Sequence, residues 1–326
     1  MPTSYRGHFL WHELLTSDPE AAKTFYRKVV GWTTAPWKDS SYTILMTDQT
    51  PNAGVMLMPA EVKAMGVPPH WATYIGTDDV DATVGQARTL GARVLKDPED
   101  LPDVGRFAVV QDPQGAAFTV FTPSVPGVPT YPAPIGGFSW NELATTDWEA
   151  AFAFYSALFG WRKGQGMDMG PMGIYQIFEL NGVMLGGIFN KPPEIPVSNW
   201  LPYARVKDTA AAAAAIKAAG GKVVNGPMDV PGGSIVQGFD PQGALFAVHA
   251  EIMAAPAPKP RAAKPAAAKS AAAKRSAAKP RRKATAKKAT KPAKKPARKP
   301  AKRKAAAKAT RKKPAKRSAS RPKRRR

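Results

Sequence analysis

The chain has 326 residues, 44% of them hydrophobic, which suffices for two medium-sized domains. Its net charge of +24 is unevenly held: 31 of the 48 Lys and Arg, and none of the 24 Asp and Glu, lie from Pro256 to Arg326, leaving a body with 17 basic against 24 acidic residues. The lack of cysteine excludes a disulfide frame, a thiolate metal site and a thiol nucleophile, and neither a signal-peptide core nor a bilayer-spanning apolar run is present, so a cytoplasmic protein is expected.

Phe9 to Leu15 alternates as a strand, and Ser17 or Asp18 then caps a helix in which Pro19 suits the first turn and Glu20 the positive end of the dipole. Ala22, Phe25, Tyr26 and Val29 recur at three- and four-residue spacing as its buried stripe, and Gly31 ends it. Three strands follow, near Thr33 to Trp37, Tyr42 to Thr47 and Ala53 to Met58. After Val67-Pro68-Pro69 the order repeats: a strand from Trp71 to Thr77, a helix capped by Asp79 and ended by Gly91, then strands at Arg93 to Lys96, Gly105 to Gln111 and Ala116 to Phe121. Asp112-Pro113-Gln114-Gly115 makes the turn of the last hairpin.

The pattern is written twice. Trp11, Glu13, Leu14, Thr16, Asp18, Glu20, Phe25, Tyr26, Gly31 and Trp32 recur 129 residues later as Trp140, Glu142, Leu143, Thr145, Asp147, Glu149, Phe154, Tyr155, Gly160 and Trp161. Trp200 and Tyr203 answer Trp71 and Tyr74, and Asp240-Pro241-Gln242-Gly243 repeats the turn one residue closer. The Ala-rich stretch Asp208 to Ala219 is the expected helix, with Ile216 in its stripe and Gly220 at its end.

This paired strand-helix-three-strand module, with Asp at the helix start, Phe-Tyr inside it and an Asp-Pro-x-Gly hairpin before the last strand, resembles the vicinal oxygen chelate superfamily, which includes glyoxalase I, bleomycin-resistance proteins and extradiol dioxygenases. The resemblance implies an α+β fold of two glyoxalase-like domains, each of two βαβββ modules: residues 1–123 and 136–252, joined by a linker at 124–135 and followed by a tail at 253–326. It also implies where a metal would sit. The first-strand ligand position falls on Trp11 and Trp140. The next falls near Ala72 and Leu201, or on Trp71 and Trp200 one residue out of register, and the last-strand carboxylate falls on Thr119 and Ala247. None of these is a competent ligand for a divalent ion, so no metal and no other cofactor is expected.

What remains on the inferred concave face is aromatic and acidic: Trp11, Glu13, Trp71 and Tyr74 in one copy, Trp140, Glu142, Trp200 and Tyr203 in the other. Such a set suits a small flat aromatic or cationic ligand; the alternative is that the tryptophans are plain core. Glu13 and Glu142 are the candidate general bases, since a carboxylate in an apolar strand is costly unless paired or used. Arg106 is a candidate salt-bridge partner for Glu13. The four histidines, His8, His12, His70 and His249, do not recur between copies; His12 and His70 reach a metal only if the register differs, and His249 with Glu251 lies just past the last ligand position.

From Pro256 onward the chain is Lys, Arg, Ala, Pro, Ser and Thr almost exclusively, which cannot bury a core and is expected to be disordered when free. It resembles the tails of linker histones and of bacterial histone-like proteins, implying a sequence-nonspecific contact with nucleic-acid phosphate through such residues as Lys283, Lys288, Lys295, Lys299, Arg303, Lys313, Arg324, Arg325 and Arg326. Two functions stay open: a nucleoid-associated, metal-independent binding protein, or a metal-independent enzyme acting on a small carbonyl or hydroxylated substrate. Membrane partners are not expected.

Overall fold

A computed structural model describes residues 4–38 and 41–251. The tail, with the nine basic residues named for nucleic-acid contact, lies outside the described residues. The first domain runs β1 (Phe9–Thr16), α1 (Pro19–Val29), β2 (Thr33–Trp37), β3 (Tyr42–Thr47), β4 (Thr50–Leu57), the short α2 (Ala60–Ala64), β5 (His70–Gly76), α3 (Val80–Thr89), β6 (Arg93–Leu101), β7 (Gly105–Gln111) and β8 (Ala117–Pro123). The second runs β9 (Phe138–Thr145), α4 (Trp148–Phe159), β10 (Arg162–Asp168), a 3₁₀ turn (Gly170–Met172), β11 (Ile174–Leu180), β12 (Val183–Asn190), β13 (Asn199–Arg205), α5 (Thr209–Ala218), β14 (Lys222–Val230), β15 (Gly233–Phe239) and β16 (Leu245–Glu251).

Each domain is one eight-stranded sheet with the same order, β2-β3-β4-β1-β5-β8-β7-β6 and β10-β11-β12-β9-β13-β16-β15-β14. The first strand of each module runs parallel to the last, which demands a crossover, and a helix supplies it. All four crossover helices start alike: Asp18, Asp79, Asp147 and Asp208 accept the amides of Ala21, Ala82, Ala150 and Ala211. The sheets curl into cups. Lys38, just past the edge strand β2, meets Asp103 in the turn beyond the opposite edge strand β6 at 2.7 Å, which only a strongly curved sheet allows. β6 runs past Lys96, where the sequence suggests an end, because a register shift between Lys96 and Glu99 absorbs Asp97-Pro98.

The helices cover the convex faces, and the two convex faces pack together. α1 lies against α5 and α3 against α4. Each apolar core therefore draws on both copies: one joins Leu14, Phe25, Tyr26 and Trp32 to Ile216 and Phe246, the other joins Phe9, Ile75 and Phe118 to Tyr155, Phe178 and Trp200. Reciprocal hydrogen bonds fix the pairing, from Trp32 Nε1 to the Gly136 carbonyl (2.7 Å) and from Trp161 Nε1 to the Gly7 carbonyl (2.8 Å). No helix among the described residues is long and apolar enough to cross a membrane.

Candidate functional site

Strand alternation in β1 sends His12 and Leu14 to the helical side and Trp11 and Glu13 into the cup. Across the ladder Trp11 pairs with Tyr74 and Glu13 with Ala72 on β5, while Glu13 pairs with Gly54 on β4. The Tyr74 hydroxyl donates to Glu13 Oε2 at 2.9 Å. Tyr42, from β3, reaches across β4 to donate to the same carboxylate, and its hydroxyl accepts the Trp11 indole N–H at 3.0 Å. That reach exists because residue 54 is glycine; a β-carbon there would run into the Tyr42 ring.

The second cup repeats the device. Tyr203 and Tyr175 donate to Glu142 Oε1 and Oε2, both at 3.0 Å, Trp140 Nε1 donates to the Tyr175 hydroxyl at 2.8 Å, and Gly187, paired with Glu142, leaves room for the Tyr175 ring. It adds Gln237, whose amide donates to Glu142 Oε1 at 3.2 Å and to the Tyr203 hydroxyl at 2.6 Å, and whose carbonyl accepts from Asn225 at 3.2 Å.

Burial pushes the Glu13 carboxyl up, against the pull of the Tyr42 and Tyr74 hydrogen bonds; burial likewise lifts Glu142, against Tyr203, Tyr175 and Gln237. The same burial and the facing carboxylate push the four phenols upward, so they remain protonated donors. The result is a carboxyl group held among neutral hydroxyls and indoles. It has the chemistry to accept a proton or to anchor a cation.

Trp71 and Trp200 correct the expectation. They lie on the convex side, because the β1–β5 ladder sets Trp71 opposite Leu14 and the β9–β13 ladder sets Trp200 opposite Leu143. There they complete two matching buried chains, Trp71 to Tyr26 (2.9 Å) to Asp240 (3.1 Å) and Trp200 to Tyr155 (3.0 Å) to Asp112 (2.9 Å), each running from one copy into the other. Arg106 is likewise not the partner of Glu13; its guanidinium binds Asp81 and Asp100. The histidines do not converge: His12 Nε2 pairs with Asn141 Oδ1 at 2.8 Å, His70 with the Pro68 carbonyl, His249 with Ser139, and His8 stacks on Tyr131.

Tyr42, Tyr175, Gly54, Gly187 and Gln237 escape a reading at fixed spacing. The two tyrosines and the two glycines do recur, but 133 residues apart instead of 129, because the second copy has a longer β10–β11 connection, with its 3₁₀ turn, and regains the original spacing by lacking α2. Gln237 has no counterpart; Val109 holds the matching place, since it pairs with Thr119 as Gln237 pairs with Ala247.

Comparison with known proteins places this architecture. The family model for the Glyoxalase/Bleomycin resistance protein/Dioxygenase superfamily matches residues 7–120 and again 137–248. The chain belongs to this superfamily. Among its superfamily relatives is CFP32 of Mycobacterium tuberculosis, whose name assigns it provisionally to the glyoxylases, 34% identical over 244 residues that make up 73% of this chain and 92% of that one. The anthracycline biosynthesis protein DnrV of Streptomyces peucetius is 30% identical over 263 residues, covering 73% of this chain and 91% of that one. In fold, the chain is similar to the Mn(II)-bound glyoxalase of Novosphingobium aromaticivorans, at a TM-score of 0.55 and 16% identity over 77% of this chain and 83% of that one. It is also similar to homoprotocatechuate 2,3-dioxygenase of Arthrobacter globiformis, at 0.56 and 14% over 77% and 81%.

A metal of the kind named for the Novosphingobium glyoxalase does not fit the residues present. The positions that the resemblance assigns to ligands carry Trp11, Ala72 or Trp71, and Thr119 in one copy and Trp140, Leu201 or Trp200, and Ala247 in the other, and each cup's glutamate is engaged by phenols. Among the described residues no three His, Cys, Asp or Glu side chains gather as a metal would require.

Proposed function

We propose that this superfamily member is a metal-independent protein that binds a small planar aromatic or cationic molecule in an acidic, aromatic cup, and that its polycationic tail tethers it to DNA at the nucleoid. The observation that carries the first half is the carboxyl group framed by Tyr and Trp on the concave face, the face on which the superfamily places its sites. Rings of this kind stack on flat ligands and favour cations, and a carboxylate of raised pKa anchors a positive or hydrogen-bond-donating group. The relation to an anthracycline biosynthesis protein favours the same class, since anthracyclines are flat polycyclic aromatics. The tail supports the second half through 31 positive charges without one negative.

Two measurements on nucleic-acid-free protein test this reading. Thermal melts of the full chain with proflavine, a planar aromatic monocation, should show a rise in melting temperature that grows with dye concentration and is indifferent to chelator. A shift seen only with added divalent ion would refute metal independence. DNA affinity of the full chain should fall steeply and linearly in log–log form with added salt, and a chain ending at Ala255 should lose it; equal affinity of the two would refute the tether.

A second reading is favoured by the glutamates' raised pKa. A base of this kind, beside phenols able to polarise an oxygen, suits proton abstraction from a small carbonyl or hydroxylated substrate. It predicts a rate that rises with pH through the carboxyl's midpoint and disappears in E13Q.

A further inference from the structure

The two cups share a plan but not their contents. Ala72 is the residue beside Glu13 on the neighbouring strand, and Leu201 stands beside Glu142. Ala72 is small and half-buried, whereas Leu201 is 5% exposed and packs with Tyr203 and Ala247 in an apolar cluster that also gathers Trp140, Ile235 and Leu245. In the first cup Phe121, buried and paired with Phe107, meets Tyr74 edge-on at 5.8 Å, and among the described residues no buried apolar cluster gathers round Ala72. Tyr74 keeps part of its surface exposed; its counterpart Tyr203 is 2% exposed.

The carboxylates differ in the same sense. Glu142 receives two phenols and the Gln237 amide, and Asn225 holds that amide in place. Glu13 receives Tyr42 and Tyr74, and the positions of Gln237 and Asn225 are taken by Val109, which offers no donor, and by Lys96, which turns to Glu99 at 2.6 Å. An ionised carboxylate has room for about four hydrogen bonds. Among the described residues Glu13 therefore keeps more acceptor capacity and has a small alanine beside it, while Glu142 has spent more of its capacity on the protein and has a buried leucine beside it.

We infer that the first cup alone is the ligand site, that the second is its filled counterpart serving the fold, and that Ala72 and Val109 against Leu201 and Gln237 decide which is which. This rests on the proposed binding of a planar aromatic cation. Glu13 is the anchor for the ligand's positive or N–H group, with Trp11 and Tyr74 flanking it.

The test is the stoichiometry of proflavine binding to nucleic-acid-free full-length chain by equilibrium dialysis. The wild-type chain should bind one dye. A72L/V109Q, which imports the second cup's residues into the first, should lose at least tenfold in affinity; E13Q, a milder change with a fold checked by circular dichroism, should do the same. L201A/Q237V should gain a second site. Two equivalent dyes on the wild-type chain, or a folded A72L/V109Q or E13Q chain with unchanged affinity, would overturn the inference while leaving the parent proposal standing. Failure of both the wild-type and the L201A/Q237V chains to bind would remove both.

Discussion

His12 sits where the duplication placed an asparagine in the other copy, and the two side chains meet in the buried seam between the domains. Its ring is 3% exposed and flanked by Phe9 and Phe138, with Asn141 as its polar partner, so burial lowers its pKa to about 4 although the Asn141 hydrogen bond raises it. The unfolded chain takes up the proton near pH 6.5 and the folded chain does not, so stability is full above that pH and falls as pH drops toward 4, by about 3 kcal/mol. H12Q should lose much of this dependence, measured as the difference in urea midpoint between pH 7.5 and 4.5; an unchanged difference would show that the ring is protonated without penalty. The buried carboxyls work in the opposite direction, since raised values make acid favour the fold, but they are common to both chains. At Glu13 the same shift has a functional sign. Proflavine affinity should rise with pH through a midpoint above the usual carboxylate range, and E13Q should flatten the profile.

Among the elements, β4 and β12 matter for what they lack. Gly54 and Gly187 lie beside the glutamates so that a tyrosine from the next strand can cross the backbone. G54A should cost about 1 to 3 kcal/mol by forcing the Tyr42 ring away from Glu13, read as a lower denaturation midpoint together with a changed Trp11 fluorescence. Helices α1 and α4 carry matching duties on the other face. Each brings a tyrosine that links a tryptophan in its own domain to a buried Asp of the other domain's hairpin turn. Y26F leaves the Asp240 Oδ2 and the Trp71 indole short of a buried partner, and about 2 kcal/mol is expected for it and for Y155F alike. A large inequality between the two would mean that the two chains of bonds are not equivalent.

At the scale of the molecule, the cores cross the duplication. Phe25, Tyr26 and Trp32 are covered by Ile216, Ala244 and Phe246, and Trp161 and Tyr155 by Phe9 and Phe118. A chain of residues 1–123 alone would present that aromatic face to water, so it should aggregate or remain unfolded, whereas co-expression with residues 136–255 should restore a folded pair. Sedimentation and circular dichroism would decide, and a stable, monodisperse 1–123 would show that each domain closes its own core. The cups, by contrast, lie on the outer faces of this joined body. Changes such as A72L/V109Q therefore act away from the seam that holds the domains together.

The sequence by itself determined the duplication and the order of strands and helices, and it pointed to Asp at the helix starts. These are local or periodic properties, written in spacing and residue type. It also marked Glu13 and Glu142, because a repeated carboxylate in an apolar strand stands out in any register. Only the tertiary structure decided which face each strand shows: alternation divides β5 into two sets of residues without saying which faces the helices, and the ladder with β1 put Trp71 in the core and Tyr74 in the cup. Tyr42, Gly54 and Gln237 join the site through contacts between strands distant in sequence, and nothing in their immediate neighbours marks them. The difference between the cups is likewise set across strands, where Leu201 and Gln237 stand in one at the places that Ala72 and Val109 hold in the other.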